Sequence, residues 1–369
     1  MKSMFIIALL ILASCGNKTE TLNQSPPSPS PEVKFAKHFS LIHHKDFVEL
    51  IILNPENNQP EKKYALIKKG SETTYPSDLT PLEIPLKSIV TLSGTHIGML
   101  NKIKVVDLIR GVSNRKYIHN KTVLDGIEAG KVIEFEDFGL LNPESVLKTH
   151  SKVIVYSGFE GKAPANEDKL AKLGIWCMPN YDWRENHPLG KAEWVKLFGV
   201  LFDKEKEANA YFDEVVKEYN SIKEMAQKLP NKPTVFSGMM YGDSWYMPAG
   251  DSYGAKLLHD AGGDYHVQDV NNTGSAAFTF EAVLKNHQHS QFWFNVEFPS
   301  KKQLLQLNDK YRYFDAFKNN QVYSYATKMN EFWENGAVEP HFVLSDYIQI
   351  LHAGEVAKKP LHYYQKLKE

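Results

Sequence analysis

Cysteine is scarce: of 369 residues two are Cys, Cys15 and Cys177. Cys15 ends the N-terminal apolar run, so Cys177 stands alone in the rest of the chain and no intrachain disulfide forms. Its neighbours Ile175, Trp176 and Met178 are apolar, which reads as a buried strand and not as a nucleophile. Basic charge is not in excess either. The 43 Lys+Arg and 44 Asp+Glu leave a formal net charge of -1, and without a basic surplus to neutralise a phosphate backbone, nucleic-acid binding is not expected. Apolar runs are short, and the one at residues 4–12 cannot cross a bilayer as a stable helix. A Walker loop and a Gly-x-Gly-x-x-Gly after a strand are both missing, which argues against a nucleotide-dependent enzyme. The chain has 14 histidines, but the closest groups, His43-His44 and His287 with His289, fall at a hairpin turn and a helix end. Three or four convergent ligands cannot be assembled from them, so no metal site is expected.

What is present begins with a leader. Lys2 gives a positive start, the apolar run follows, and Leu12-Ala13-Ser14-Cys15-Gly16 resembles the bacterial lipobox. Residues 1–14 read as a lipoprotein signal peptide, with lipidation at Cys15. Residues 15–32 are polar and carry Pro26, Pro27, Pro29 and Pro31, a composition that suits a flexible tether. The chain is therefore expected to be exported and lipid-anchored to the periplasmic or cell-surface face of a bacterial membrane.

Beyond the tether, apolar and polar residues alternate over 39–53, interrupted at His43-His44-Lys45-Asp46, as in a hairpin. Strands are expected at 63–68, 89–92, 104–108, 153–156 and 175–178, and helices at 94–100, 143–149 and 167–172. That alternation argues for an α/β domain with a mostly parallel sheet. A helix over 190–202 follows. Asp203 reads as the N-cap of a longer helix over 204–228, whose apolar Ala208, Tyr211, Phe212, Val215, Val216 and Tyr219 recur at helical spacing. Strands at 234–236 and 292–295 and helices at 253–261 and 279–286 come next, and a helix at 342–351 is expected to close the chain. The divisions are 33–203 for an N-terminal α/β lobe, 204–229 for a connecting helix and 230–369 for a C-terminal α/β lobe.

The two halves share a motif. Glu144-Ser145-Val146-Leu147-Lys148 is matched by Glu281-Ala282-Val283-Leu284-Lys285, and a His-Ser pair follows each. Both glutamates fall in a first helical turn, after Asn142 or Thr279 as N-cap, where the helix dipole favours a carboxylate by a few tenths to about 1 kcal/mol. A helix-start role explains either Glu alone; recurrence at matching places in two lobes points further.

These features resemble class III periplasmic binding proteins, the substrate-binding lipoproteins of ABC importers for ferric siderophores, heme and vitamin B12. The resemblance spans about residues 84–369 and rests on the two Glu segments, on 190–229, on Tyr253-Gly254-Ala255-Lys256-Leu257-Leu258, and on Trp333-Glu334-Asn335-Gly336. It implies two lobes with mostly parallel sheets joined by one long connecting helix, with small lobe closure. It implies a monomer that binds a small molecule, performs no chemistry and needs no catalytic cofactor. By position, Glu144 and Glu281 match the acidic residues that meet arginines of the permease dimer.

The cleft should be lined by loops at strand C-terminal ends. That selects Thr95, His96, Phe159, Tyr181, Trp183 and Arg184 on the first lobe, and Trp245, Tyr246, Lys328 and Trp333 on the second. The rings offer flat surfaces to a macrocycle or chelate; Arg184 and Lys328 would pair with an anionic ligand. Truncating Trp183 or Trp245 is expected to weaken binding with little loss of stability. The enzyme alternative is an exported hydrolase, with Asp182 or Glu160 and His96 as an acid/base pair.

Overall fold

A computed structural model of the protein describes residues 32–136, 139–157, 163–267 and 271–369. The first sheet is formed by β1 (Phe39–His43), β2 (Phe47–Leu53), β3 (Pro60–Lys68) and β4 (Thr80–Ile84). Strands β1 to β3 make an antiparallel meander and β4 pairs parallel with β3. Leu50, Ile51, Ile52 and Leu53 are all buried, so β2 is covered on both faces, as such an unbroken apolar run requires. The Tyr64 hydroxyl donates to the Cys177 carbonyl oxygen at 3.4 Å, which ties this sheet to the first lobe.

The first lobe contains β5 (Ile89–Thr91), β6 (Ile109–Ser113), β7 (Ile133–Phe135), β8 (Val153–Tyr156) and β9 (Trp176–Pro179). They lie in the order β7-β6-β5-β8-β9, every pair parallel. The second lobe contains β10 (Thr234–Ser237), β11 (Met239–Tyr241), β12 (Ser244–Pro248), β13 (Asp264–Tyr265), β14 (Ser275–Phe278), β15 (Phe292–Val296), β16 (Val322–Ser324) and β17 (Gln365–Lys366). Its main sheet runs β13-β10-β15-β16-β17, parallel except for β17; β11, β12 and β14 form a separate antiparallel sheet. In each lobe the strand order reverses beside the first strand, between β5 and β8 and between β10 and β15. Those switch points open a crevice at the carboxyl ends of the strands.

One helix, Glu205–Gln227, joins the lobes. Its 23 residues span roughly 34 Å at the usual rise. Ala208, Phe212, Val215, Tyr219 and Ala226 are its buried stripe. Asp203 is not its N-cap. It adopts a positive φ of 55° and closes the preceding turn, an αL role that Asp tolerates, while Lys204 takes the cap position without a side-chain bond. The expected helix over 190–202 is two, Pro188–Glu193 and Val195–Leu201. The expected strand at 104–108 is instead a short 3-10 turn at Val106–Leu108 leading into β6. The helix Pro340–Leu351 does not close the chain, because the residues after it return to pair β17 with β16.

Two features tie separate regions together. The backbone N–H groups of Lys34, Phe35 and Ala36 donate to the Glu193 carboxylate at 2.6–3.0 Å, and those of Lys37 and His38 to Glu185 at 2.8 and 3.2 Å. Both carboxylates are fully buried, and consecutive amides converging on each replace the water it has lost. The second tie crosses the lobes. The helix Met329–Asn335 lies on the first-lobe helix Gly94–Lys102 so closely that a Cβ on Gly98 would fall 2.0 Å from the Glu334 carbonyl oxygen. The buried Glu334 carboxylate accepts from the N–H groups of His119 and Asn120 at 2.9 and 3.0 Å, and Asn330 donates to the Lys116 carbonyl at 2.8 Å. Lys102 pairs with Glu339.

Burial sets a pH dependence. Loss of solvent lowers His38, His187, His287 and His341 to about 4 and His96 to about 3. Each contributes stability that is present above the ordinary histidine value of 6.5 and lost as pH falls toward the folded value. Burial raises Glu185 to about 7, so its contribution has the opposite sign and is gained as pH falls from about 7 to 4.5. Burial raises Asp182, Glu334 and Asp346 in the same sense as Glu185, but the five histidines outnumber these carboxylates, and the thermal midpoint is expected to drop between pH 6.5 and 4. A midpoint that is flat or rises over that range would show that these rings are hydrated.

Candidate ligand-binding site

A cavity of about 330 Å³ lies between the lobes, at the lower end of the range for small-molecule pockets. It sits at both switch points. Thr95 comes from the first turn of the helix Gly94–Lys102 after β5, Ser237, Gly238 and Met239 from the junction of β10 and β11, and Asn295 and Glu297 from the end of β15. Pro188 and Lys191 add a second first-lobe element, and Phe332, Trp333, Gly336 and Ala337 form a wall that crosses between the lobes. Rings dominate the mouth: Tyr241 is 76% exposed, Tyr246 45% and Trp333 43%. Deeper in, Tyr325 stacks on Phe332 with centroids 4.4 Å apart.

The polar groups are few. Lys191 is buried, and its Nζ lies 4.2 Å from the centroid of the Tyr253 ring on the opposite lobe. Its pKa is raised: burial works against the charge but is outweighed by Tyr253 and by the nearby Asp182 carboxylate. Asp182 itself is pushed up by burial, against the pull of Lys191 and a hydrogen bond from Thr95. Its Oδ2 has no hydrogen-bond partner among the described residues. On the second lobe the Tyr325 hydroxyl donates to Glu297 at 3.0 Å. The amide oxygen of Asn295 receives the hydroxyls of Tyr347 and Tyr364, and its nitrogen donates to Ser237 Oγ at 2.7 Å.

Of the residues expected in the cleft, Thr95, Tyr246 and Trp333 line this cavity. Trp183 does not, yet it reaches across the cleft: a Cβ on Gly274, beside the lining residue Ser275, would lie 3.9 Å from its ring. Its indole N–H donates to the Ser157 carbonyl at 2.6 Å. Arg184 packs on the Trp183 ring at 5.3 Å and pairs with Glu56 at 2.8 Å, so its charge is matched inside the protein. Lys328 lies outside the cavity and donates to the His362 carbonyl at 2.5 Å.

Three placements correct the expectation. Trp245 is fully buried among Phe236, Trp293, Tyr311 and Phe314, because β12 turns it inward while Tyr246 faces out. Tyr181 is buried with its hydroxyl on Glu61 at 2.7 Å. His96 points into the core against Phe198, with Nδ1 2.9 Å from Thr91 Oγ1, so this neutral ring does not face a substrate. Phe159, Glu160 and Cys15 lie outside the described residues. Lys191, Tyr253, Glu297 and Tyr347 were not anticipated. The available signal for Lys191 is a lysine inside the apolar stretch Leu189, Ala192, Trp194, Val195.

Both repeated glutamates are exposed in first helical turns. Asn142 caps Pro143–Lys148 by accepting from Ser145 N–H, and Thr279 caps Phe280–His287 by accepting from Ala282 N–H. Each helix leads into the strand across its lobe's switch point, β8 or β15. The N-terminus of a helix that precedes a parallel strand lies at the carboxyl edge of the sheet, so both glutamates stand on the cleft side of their lobes.

Two parallel-sheet lobes on one long helix, with a cavity at their facing switch points, define a two-lobed small-molecule binding protein. The sequence profile of the family described as periplasmic binding protein matches residues 89–328, and the chain belongs to that family, which serves ABC importers. The first sheet, β1 to β4, lies before the matched range. The chain is 27% identical over 364 residues to the uncharacterised lipoprotein MJ0878 of Methanocaldococcus jannaschii, covering 90% of this chain and 85% of the relative. It shares its fold with a possible iron-binding (periplasmic solute-binding) protein of Staphylococcus epidermidis, TM-score 0.57 and 18% identity over 73% of this chain and all of that one. It also shares it with the vitamin B12 binding protein BtuF of Vibrio cholerae, TM-score 0.52 and 14% identity over 74% of this chain and 99% of that one. Among the described residues no helix is long and apolar enough to cross a membrane.

Proposed function

We propose that this protein captures a metal chelate or corrinoid in the interlobe cavity and hands it unchanged to an ABC importer permease. The observation that carries the reading is the cavity itself: it collects loop ends from both sheets at their switch points and presents Tyr241, Tyr246 and Trp333 to solvent at its mouth. Rings in that position suit a flat or apolar ligand surface. The hydrolase alternative has no such support, since His96 is buried away from the cavity.

Titrating the mature protein with ferric siderophores, hemin and cyanocobalamin, while following tryptophan fluorescence, tests it. Trp333 borders the cavity, so one of these ligands is expected to quench saturably at one site. Absence of saturable binding by all of them would sink the reading.

The same proposal places the protein at a membrane through a lipid on Cys15, in line with its lipoprotein relative. A Cys15→Ser protein is expected in the soluble exported fraction. Retention of that variant in the membrane fraction, or lipid-free release of the wild type, would show the anchor to be elsewhere or absent.

A further inference from the structure

The cavity lining holds one cation and one carboxylate. Lys191 is the cation in the lining, and Asp182 behind it already supplies a counter-charge. Glu297 brings a carboxylate from the opposite lobe. The exposed turn between β11 and β12 places Asp243 two residues from the mouth ring Tyr241. Arg110, Arg115, Arg184 and Arg312 are the arginines of the chain, and none lines the cavity. Arg184, the one predicted to reach a ligand, is held by Glu56 and the Trp183 ring. Lys191 and Glu297 are therefore the charged side chains of the lining, and with Lys191 already matched by Asp182 the cavity offers a ligand no spare cation.

A polyanion entering such a site loses its hydration and meets no cluster of cations to replace it, which is costly where the surroundings are apolar. Like charges add repulsion. The aromatic faces work the other way, because a ring's negative face attracts a cation and repels an anion.

We propose that the cavity selects a metal chelate that is neutral or carries a single positive charge, and rejects polyanionic chelates. This rests on the function proposed above. Ferric iron bound by three hydroxamates is neutral, and a pendant ammonium makes it a monocation. Ferric iron bound by three catecholates is a trianion, and hemin carries two propionates. The first kind fits the charge of this cavity, and the ammonium would be met by Glu297 and the mouth rings. The cavity of about 330 Å³ leaves the outer part of any such chelate among Tyr241, Tyr246 and Trp333.

The test compares ferrioxamine B, a monocationic ferric trihydroxamate, with ferric enterobactin, a trianionic tricatecholate, and with hemin and cyanocobalamin, on the intact mature protein at fixed ionic strength. The trihydroxamate or the neutral corrinoid is expected to bind at least about tenfold more tightly than the tricatecholate or the dicarboxylate hemin. Glu297→Gln, checked for an unchanged thermal midpoint, is expected to weaken ferrioxamine B by about tenfold, and by more than it changes binding of the neutral corrinoid. If the tricatecholate or hemin binds as tightly as the others, the charge inference is overturned while the binding function stands. If none of the four binds, both fall. If Glu297→Gln does not fold, the wild-type ranking decides alone.

Discussion

Replacing Glu144 and Glu281 together by lysine is expected to abolish delivery of the ligand while folding and ligand affinity stay as they are. Both side chains are exposed, and among the described residues Lys310, 3.8 Å from Glu281, is the one ion-pair partner of either. Neither lines the cavity. Their removal costs at most the first-turn dipole term, about 0.3–1 kcal/mol each. The expected loss comes from the partner. Carboxylates on two lobes would give two separated points for orienting the protein on a two-fold permease, and arginine is suited to receive them in bidentate fashion. Lysine would set like charges across that interface, disfavouring docking by several kcal/mol. Single exchanges should give partial transport, since the other lobe still docks. Uptake, ligand affinity and melting measured on the same variants separate the possibilities. Normal transport by the double variant refutes the docking role. Lost ligand affinity would move these carboxylates into the binding site.

Trp245→Ala is expected to cost about 3–5 kcal/mol of stability, the range for truncating a buried Trp. Its ring centroid lies 5.5–6.0 Å from those of Trp293, Phe314, Tyr311 and Phe236, and its N–H donates to the buried Ser237 carbonyl at 2.9 Å. The truncation leaves a cavity and an acceptor without its donor. Trp333→Ala, at the mouth, should instead weaken ligand binding with little change in the unfolding midpoint. Denaturant titration of both variants checks the contrast, and equal midpoints would mean that the aromatic cluster is not the core of the second lobe.

Why one tryptophan was misplaced from sequence and the other was not is a matter of register. Trp245 and Tyr246 are adjacent on a strand and so face opposite ways; both are aromatic, and sequence cannot say which faces the cleft. Trp333 sits on a short helix where its own exposure decides. Longer patterns were easier to read. The stripe of Ala208, Phe212, Val215 and Tyr219 marks the connecting helix, and the alternation of strands and helices marks both lobes. The β1–β4 sheet was less legible as a unit, because β2 is buried on both faces and β4 pairs with β3 across a long connection. The roles of Glu185 and Glu193 were out of reach for another reason. Each is held by backbone amides some 150 residues away, and backbone donors leave no mark in a sequence. Lys191 and Asp182 face one another only because the loop after β9 folds back on the next helix.

The tie through Glu334 changes what the two lobes are mechanically. Phe332 and Trp333 belong to the second lobe by chain order, yet the amides of His119 and Asn120 and the notch at Gly98 fasten them to the first. The cavity is thus less a jaw than a cup, with its floor and one side cast in a single piece. A cup is ready before its contents arrive, so little binding energy goes into shaping it. The same stiffness makes letting go the harder act. Pulling Met329–Asn335 from Gly94–Lys102 would strand a buried carboxylate, and a separation of that kind needs a grip on both lobes at once, from outside the protein.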